Sequence, residues 1–135
     1  MREIQAAAVT AAVKELCIRT NYALTPEIEQ ALHAARQRET LPRAGEILTQ
    51  LEQNLLLARE KQIPICQDTG MAVVFAELGQ EVHITGGALS EAIDEGVRQG
   101  YTQGYLRKSV VSDPIERVNT GDNTPAVIHY DVVPG

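Results

Sequence analysis

The stretch that decides the fold is Ile63-Pro64-Ile65-Cys66-Gln67-Asp68-Thr69-Gly70-Met71-Ala72-Val73-Val74-Phe75-Ala76. Before it, apolar residues recur at helical spacing. After it, Met71 to Leu78 is a mostly continuous apolar run, which is typical of a strand covered on both faces. The sequence therefore predicts an α+β chain, with a thiol, an amide, a carboxylate and a hydroxyl side by side where the helices give way to strands.

Apolar spacing predicts three helices before this stretch, at about residues 4–20, 25–37 and 42–61. The second of them has clear start signals. Thr25 suits an N-cap, and Pro26 suits the first helical position because its missing N–H would be unpaired there anyway.

The pattern after Pro64 predicts strands at about 71–78, 81–85 and 126–133, with a fourth helix at about 88–105. Gly79-Gln80 looks like a turn, so we expect the first two strands to pair as a hairpin within one mixed sheet. Sheets usually contain about four to six strands, and this one would contain three. We therefore expect residues 1–135 to form a single domain whose sheet is incomplete.

Glycines recur on one face of the fourth helix, at Gly96, Gly100 and Gly104. Glycine inside a helix costs about 1 kcal/mol relative to alanine, so three on one stripe need a physical reason. The pattern predicts that another backbone approaches this face closely.

Composition and charge favour some classes of protein and argue against others. The chain has 135 residues, 44% of them hydrophobic, which favours a packed globule. Its net charge of −6 argues against a nucleic-acid partner, which would require clustered Lys and Arg. No signal peptide or membrane-spanning stretch is evident, and Cys17 and Cys66 lack disulfide or zinc spacing. We expect a reduced, cytoplasmic setting.

Cys66 has two interpretations. A lone cysteine among apolar neighbours is often a small buried hydrophobe, as we expect for Cys17 on its helical stripe. The polar residues after Cys66 favour a functional thiol instead. A nucleophile would require a nearby histidine, and an iron-sulfur ligand would require further thiolates. The residues alone leave the choice open.

Three other polar positions have the same ambiguity. Asp68 is either a turn residue before the strand or an acceptor for a substrate hydroxyl or bound water. Arg107, next to Lys108, is either a cation placed by a helix C-terminus or a clamp for a carboxylate. The cluster Asn119–Thr124 reads as a solvated turn, with an anion-binding nest as the alternative.

Five motifs follow one another along the second half of the chain: Ile63–Gly70, Gly96–Tyr101, Tyr105–Val111, Asp113-Pro114 and Arg117–Ala126. In this order they resemble the N-terminal part of the alpha subunit or alpha-type domain of class I, iron-sulfur fumarate hydratase and of its relative L-tartrate dehydratase. The resemblance covers most of the chain from residue 62 onward.

The resemblance implies specific roles. Cys66 stands where the family has one of three thiolates of a [4Fe-4S] cluster, whose fourth iron acts as a Lewis acid on the substrate hydroxyl. Gln67 and Asp68 match residues that contact substrate, and Arg107 matches one that binds a substrate carboxylate. The implied activity is a hydro-lyase that interconverts (S)-malate and fumarate, with tartrate dehydration as the alternative.

The resemblance also implies missing parts. The other two cluster cysteines and the catalytic base have no counterpart here, so no catalytic residue is assigned. They would come from a further alpha-type segment and from a beta-type subunit or C-terminal domain, in an oligomer. Since one thiolate cannot hold a stable four-iron cluster, we expect these 135 residues alone to carry no cluster and to be inactive. Two rival hypotheses remain: a non-catalytic scaffold or partner module, whose glycine-faced helix would dock on another chain, and a thiol redox protein.

Overall fold

The computed structural model describes residues 2–66 and 70–135 of the chain. Helices and strands both contribute, so the α+β class is confirmed. In chain order the elements are β1 (Arg2–Gln5), α1 (Ala6–Tyr22), α2 (Pro26–Arg38), α3 (Pro42–Lys61), β2 (Val73–Gly79), β3 (Val82–Thr85), α4 (Leu89–Gln103) and β4 (Val127–Val133).

The chain divides into two compact units. The larger unit consists of Met1–Ile18 with Asp68–Gly135, and the smaller one of Arg19–Gln67. The larger unit therefore holds all four strands and α4, and the smaller one holds α2 and α3. The expectation that residues 1–135 form a single domain stays a prediction.

The helix boundaries follow the local signals. Thr25 has the extended backbone of an N-cap, and its carbonyl accepts hydrogen bonds from the N–H groups of Ile28 and Glu29, both at 3.1 Å. Its side chain does not cap the helix. Helix α3 spans the predicted residues, and its C-cap Gln62 adopts the left-handed conformation common after helices.

The first predicted helix begins later than expected, because Arg2–Gln5 forms a strand. These residues pair in parallel with β3, in a register that joins Arg2 to Val82 and Gln5 to Thr85. A strand of four residues is too short to show a clear alternation of apolar and polar residues, and its partner lies far along the chain. The helical spacing that follows therefore led to the assignment of Ile4 and Gln5 to the helix.

The predicted hairpin and the single mixed sheet are wrong. Strands β2 and β4 form one two-stranded parallel sheet, and β1 and β3 form another. The turn after β2 explains the difference. A two-residue hairpin favours positive φ at its central residues, and neither Gln80 nor Glu81 has it. Their N–H groups donate instead to the carbonyls of Val133 (2.8 Å), the last residue of β4, and of Gly135 (3.0 Å), two positions later.

The β2–β4 sheet has an exposed apolar face. Phe75 is 79% exposed, and its ring stacks on that of its register partner His129 with the centroids 4.9 Å apart. Parallel strands are usually covered on both faces, so this face is unusual for its class.

The core of the larger unit forms where α4 packs on α1. The buried residues of α4 are Ala92, Ile93, Gly96, Val97, Gly100 and Tyr101. A Cβ atom built on Gly96 would lie 2.6 Å from the Val13 Cβ and 2.8 Å from the Thr10 carbonyl oxygen. The Thr10 hydroxyl also donates to the Ala92 carbonyl at 2.9 Å. The predicted close backbone approach is confirmed, and the neighbour is α1 of the same chain.

The smaller unit is less deeply packed. Helix α2 has no buried residue, and Ala58 is the buried residue of α3. Leucine side chains such as Leu56, at 56% exposure, face outward. Within the described ranges, no helix combines the length and apolar character needed to cross a bilayer.

The α1–α4 contact predicts the effect of G96A. The added methyl meets a Cβ and a backbone oxygen, neither of which can rotate away, so overpacking should cost about 1–3 kcal/mol. That exceeds the gain in helix propensity of up to about 1 kcal/mol. Urea denaturation should therefore show a lower free energy of unfolding.

The matched control is G45A in α3, where nothing lies within 4 Å of the added atom. This variant should be stabilised by up to about 1 kcal/mol. Equal effects of the two substitutions would contradict the tight contact.

Candidate functional site

Cys66 lies on a short segment that follows α3, and hydrogen bonds from the N–H groups of Ile65 and Cys66 hold this segment in place. The N–H of Ile65 donates to the Asn21 carbonyl at 2.8 Å, and its side chain is 8% exposed. The N–H of Cys66 donates to Oδ1 of Asn54 on α3 at 2.9 Å. The main chain is held while the Cys66 side chain is exposed, so its interpretation as a small buried hydrophobe is wrong.

The second cysteine differs from Cys66. Cys17 is half-buried on α1, where its Cβ would lie 2.7 Å from a Cβ built on Gly100. Burial raises the pKa of the Cys17 thiol, because it disfavours the charged thiolate. The predicted packing role of Cys17 fits this position, and both cysteines are free thiols.

Arg107 is exposed and follows the end of α4. The helix stops at Gln103, and Leu106 then turns back so that its N–H donates to the Tyr101 carbonyl at 3.0 Å. Arg107 is therefore four positions beyond the last helical residue. The chain turns back onto the last turn of the helix just before Arg107, so a cation near the helix C-terminus and a carboxylate clamp both fit this position. The carboxylate clamp stays a prediction.

The cluster Asn119–Thr124 forms a hydrogen-bonded loop, so the solvated turn describes only its outer side. The Thr120 N–H donates to the Val110 carbonyl at 3.0 Å, and the Asn119 side chain donates to the Lys108 carbonyl at 2.9 Å. The loop therefore lies along the segment that follows Arg107.

Asn123 is the buried centre of this loop, with 0% of its surface exposed. Its Oδ1 accepts hydrogen bonds from the N–H groups of Ser109 (2.6 Å) and Val110 (3.0 Å). Its Nδ2 donates to the Gly70 carbonyl at 3.0 Å. One side chain thus joins the segment after Arg107 to the last residue of the Cys-Gln-Asp-Thr-Gly motif.

The neighbouring carboxylate, Asp122, stays ionised to lower pH than usual. Its Oδ1 accepts from the Thr124 N–H at 3.0 Å and from the Thr124 hydroxyl at 2.7 Å. These bonds lower the pKa of Asp122, the backbone bond contributing most. The stability they add is present above the ordinary value of 3.8 and is lost as the pH falls through the lowered pKa.

The structure describes two of the four predicted site residues, Cys66 and Arg107. Gln67 and Asp68 lie outside the described residues. Cys66 belongs to the smaller unit and Arg107 to the larger one. The sequence analysis did not single out Asn123 within its cluster. Its residue type was the one indication, because asparagine adopts positive φ more readily than most residues and Asn123 has φ 66°.

Among residues 2–66 and 70–135, Cys66 is the candidate ligand for a metal cluster. In the part of the chain that the structure describes, no three His, Cys, Asp or Glu side chains come together to hold a metal ion. Cys66 offers one exposed thiol, and iron-sulfur clusters are held by several thiolates. The residues present fit one ligand of such a cluster, and the remaining ligands would have to come from elsewhere.

Comparison with known proteins decides the family. Residues 10–135 match the family described as fumarate hydratase (fumerase). The chain belongs to this family. The resemblance to class I fumarate hydratases and to tartrate dehydratase, found from the motifs, is confirmed.

Three relatives show the extent of the match. "Fumarate hydratase class I, anaerobic" of Escherichia coli is 32% identical over 131 residues, covering 84% of this chain and 24% of that protein. "Fumarate hydratase 2" of Leishmania major is 36% identical over 91 residues, covering 66% of this chain and 16% of that protein. "Putative L(+)-tartrate dehydratase subunit alpha" of Methanocaldococcus jannaschii is 30% identical over 114 residues, covering 80% of this chain and 40% of that protein. The chain thus spans well under half the length of these relatives.

The different burial of the two cysteines predicts different reactivity. Iodoacetamide at pH 7.5 should alkylate Cys66 at least about tenfold faster than Cys17, because thiolate fraction and access set the rate. Mass spectrometry of C17S and C66S, each retaining one thiol, measures the two rates separately. Equal rates would contradict the exposed placement of Cys66.

Proposed function

We propose that this chain forms part of a hydro-lyase that interconverts (S)-malate and fumarate. The family match over residues 10–135 carries this proposal. Because the chain spans only part of its relatives, the activity belongs to a complete enzyme that includes further residues. The setting we propose is the cytoplasm.

Cys66 is the proposed iron ligand of this chain. Its exposed thiol can accept a metal from outside, while the bonds to Asn21 and Asn54 keep the main chain on both sides of Ile65 in place. A ligand fixed in this way loses less conformational freedom when the metal binds. A [4Fe-4S] cluster bound there would supply a Lewis acid for the substrate hydroxyl. With one thiolate, these 135 residues alone are proposed to be inactive.

Arg107, Gln67 and Asp68 are the proposed contacts to the dicarboxylate. The planar guanidinium of Arg107 can donate two parallel N–H bonds to one carboxylate. The amide of Gln67 and the carboxylate of Asp68 add acceptors and donors suited to a hydroxy acid. The catalytic base and remaining ligands are proposed to come from a further alpha-type segment and from a beta-type subunit or C-terminal domain. The name of the M. jannaschii relative, a subunit alpha, supports an enzyme of more than one chain.

Tartrate dehydration is the second candidate, favoured by that same relative. Both substrates are hydroxylated four-carbon diacids, so the proposed contacts suit either. Turnover of malate, fumarate and L-tartrate by the complete enzyme separates the two.

The scaffold hypothesis loses its main support. It required the glycine face of α4 to dock on another chain, and α1 already packs against that face.

C66S in the complete, anaerobically prepared enzyme tests the proposed ligand. Loss of a thiolate should remove the cluster, and losing several kcal/mol of Lewis-acid stabilisation should lower the hydration rate at least about a hundredfold. Iron and sulfide analysis with a fumarate assay gives both readouts. C17S, on the face of α1 that packs against Gly100, is the control and should keep its iron. Normal iron content in C66S would overturn the assignment.

R107K tests the proposed carboxylate clamp. Lysine keeps the charge but not the two-bond geometry, so KM for the diacid should rise about tenfold or more with a smaller change in kcat. Steady-state kinetics with malate measure both constants. R98K is the matched control, since Arg98 pairs with Glu95 on the surface of α4. An unchanged KM in R107K would argue against the clamp.

A further inference from the structure

We propose that Asn54 is a positioning residue for Cys66, the proposed iron ligand. This inference rests on the proposed function and adds a residue to it. Asn54 lies on α3, twelve positions before Cys66, and its Oδ1 accepts a hydrogen bond from the N–H of Cys66 at 2.9 Å. Asn54 therefore acts on the thiol through the main chain of the residue that carries it.

The segment that carries Cys66 turns back along α3. Gln62 adopts the left-handed conformation, and the N–H of the next residue, Ile63, donates to the Ala58 carbonyl at 3.1 Å. The N–H of Cys66 then bonds to Asn54, which precedes Ala58 by four positions and so lies one turn earlier on the same face of the helix. These two bonds place the Cys66 main chain beside the body of α3 rather than beyond its end.

The bond to Asn54 is the one in this segment that depends on a side chain. The N–H groups of Ile63 and Ile65 donate to main-chain carbonyls, which any residue type supplies, and Pro64 has no N–H. The N–H of Cys66 donates to a side chain, so its bond requires a hydrogen-bond acceptor at position 54. A substitution there can therefore release Cys66 without touching the other bonds.

Holding the main chain of Cys66 matters because its side chain is exposed. Packing does not enclose an exposed thiol, so the backbone has to hold it in place. With the N–H of Cys66 bonded and Ile65 buried, the staggered rotamers of χ1 are the main freedom left to the Cys66 Sγ. A metal that binds this thiol then arrests one side-chain torsion instead of a mobile main chain, which costs less conformational entropy.

N54A in the complete, anaerobically prepared enzyme tests the proposal. Alanine removes the acceptor and favours the helix, so α3 itself should not be weakened. Water can satisfy the freed N–H because Cys66 is exposed, so position is lost rather than stability. Substituting residues that orient metal ligands typically lowers metal affinity by about 10–100-fold. We therefore expect N54A to lose iron to a chelator about tenfold faster than the wild-type enzyme.

N54D and Q53A are the comparison variants. The carboxylate of N54D keeps an acceptor at the same position, so its iron loss should stay within about threefold of the wild-type rate. Q53A makes the same kind of change at the neighbouring, exposed position of α3, with a similar gain in helix propensity, and should lose iron at the wild-type rate. Wild-type iron retention in N54A, or rapid iron loss in either comparison variant, overturns the proposal.

Hydrogen exchange provides a readout that is independent of the cluster. In the metal-free complete enzyme, the Cys66 amide should exchange about fivefold faster or more in N54A than in wild type, because its hydrogen bond is lost. The amides of α3 should keep their protection, and N54D should protect the Cys66 amide as wild type does. Unchanged exchange at Cys66 in N54A, or faster exchange throughout α3, overturns the proposal.

The two proposals fail in different ways. A complete wild-type enzyme that binds no iron and turns over no diacid sinks the proposed function, whatever the exchange of the Cys66 amide. A wild-type enzyme that holds its iron, with an N54A variant that holds it equally well, sinks the role of Asn54 alone.

Discussion

The close approach of α4 to α1 is the contact on which the rest of the larger unit depends. Gly96 and Gly100 remove the side chains that would hold the helices apart, and Val97 and Tyr101 of the same helix are buried. Helix α4 in turn ends where the backbone turns back through Leu106 toward Arg107. A wider separation of the helices would therefore move the proposed carboxylate clamp as well as weaken the core.

The elements whose causes are local were predictable, and the pairings were not. Pro26 and Pro42 mark helix starts in the sequence itself, and the structure begins α2 and α3 at those residues. Strand partners depend on segments far along the chain. Gly79-Gln80 looked like a hairpin turn, but the carbonyls that accept the N–H groups of Gln80 and Glu81 lie more than 50 positions later.

The candidate site shows the same division. Motif resemblance singled out Cys66 and Arg107, but the exposure of a residue depends on what surrounds it, so the open position of Cys66 became evident only in the fold. Asn123 appeared to be one polar residue among six. Its importance comes from three main-chain partners that no sequence spacing connects, and burial of an amide with all of these bonds made is a tertiary property.

The parallel pairing of β1 with β3 has a consequence for biosynthesis. Val82 follows its partner Arg2 by 80 positions. At about 5–20 residues per second, a ribosome takes several seconds to deliver the second strand after the first. Throughout that interval the nascent chain exposes an unpaired strand edge, while α2 and α3, whose contacts are local, are already free to form.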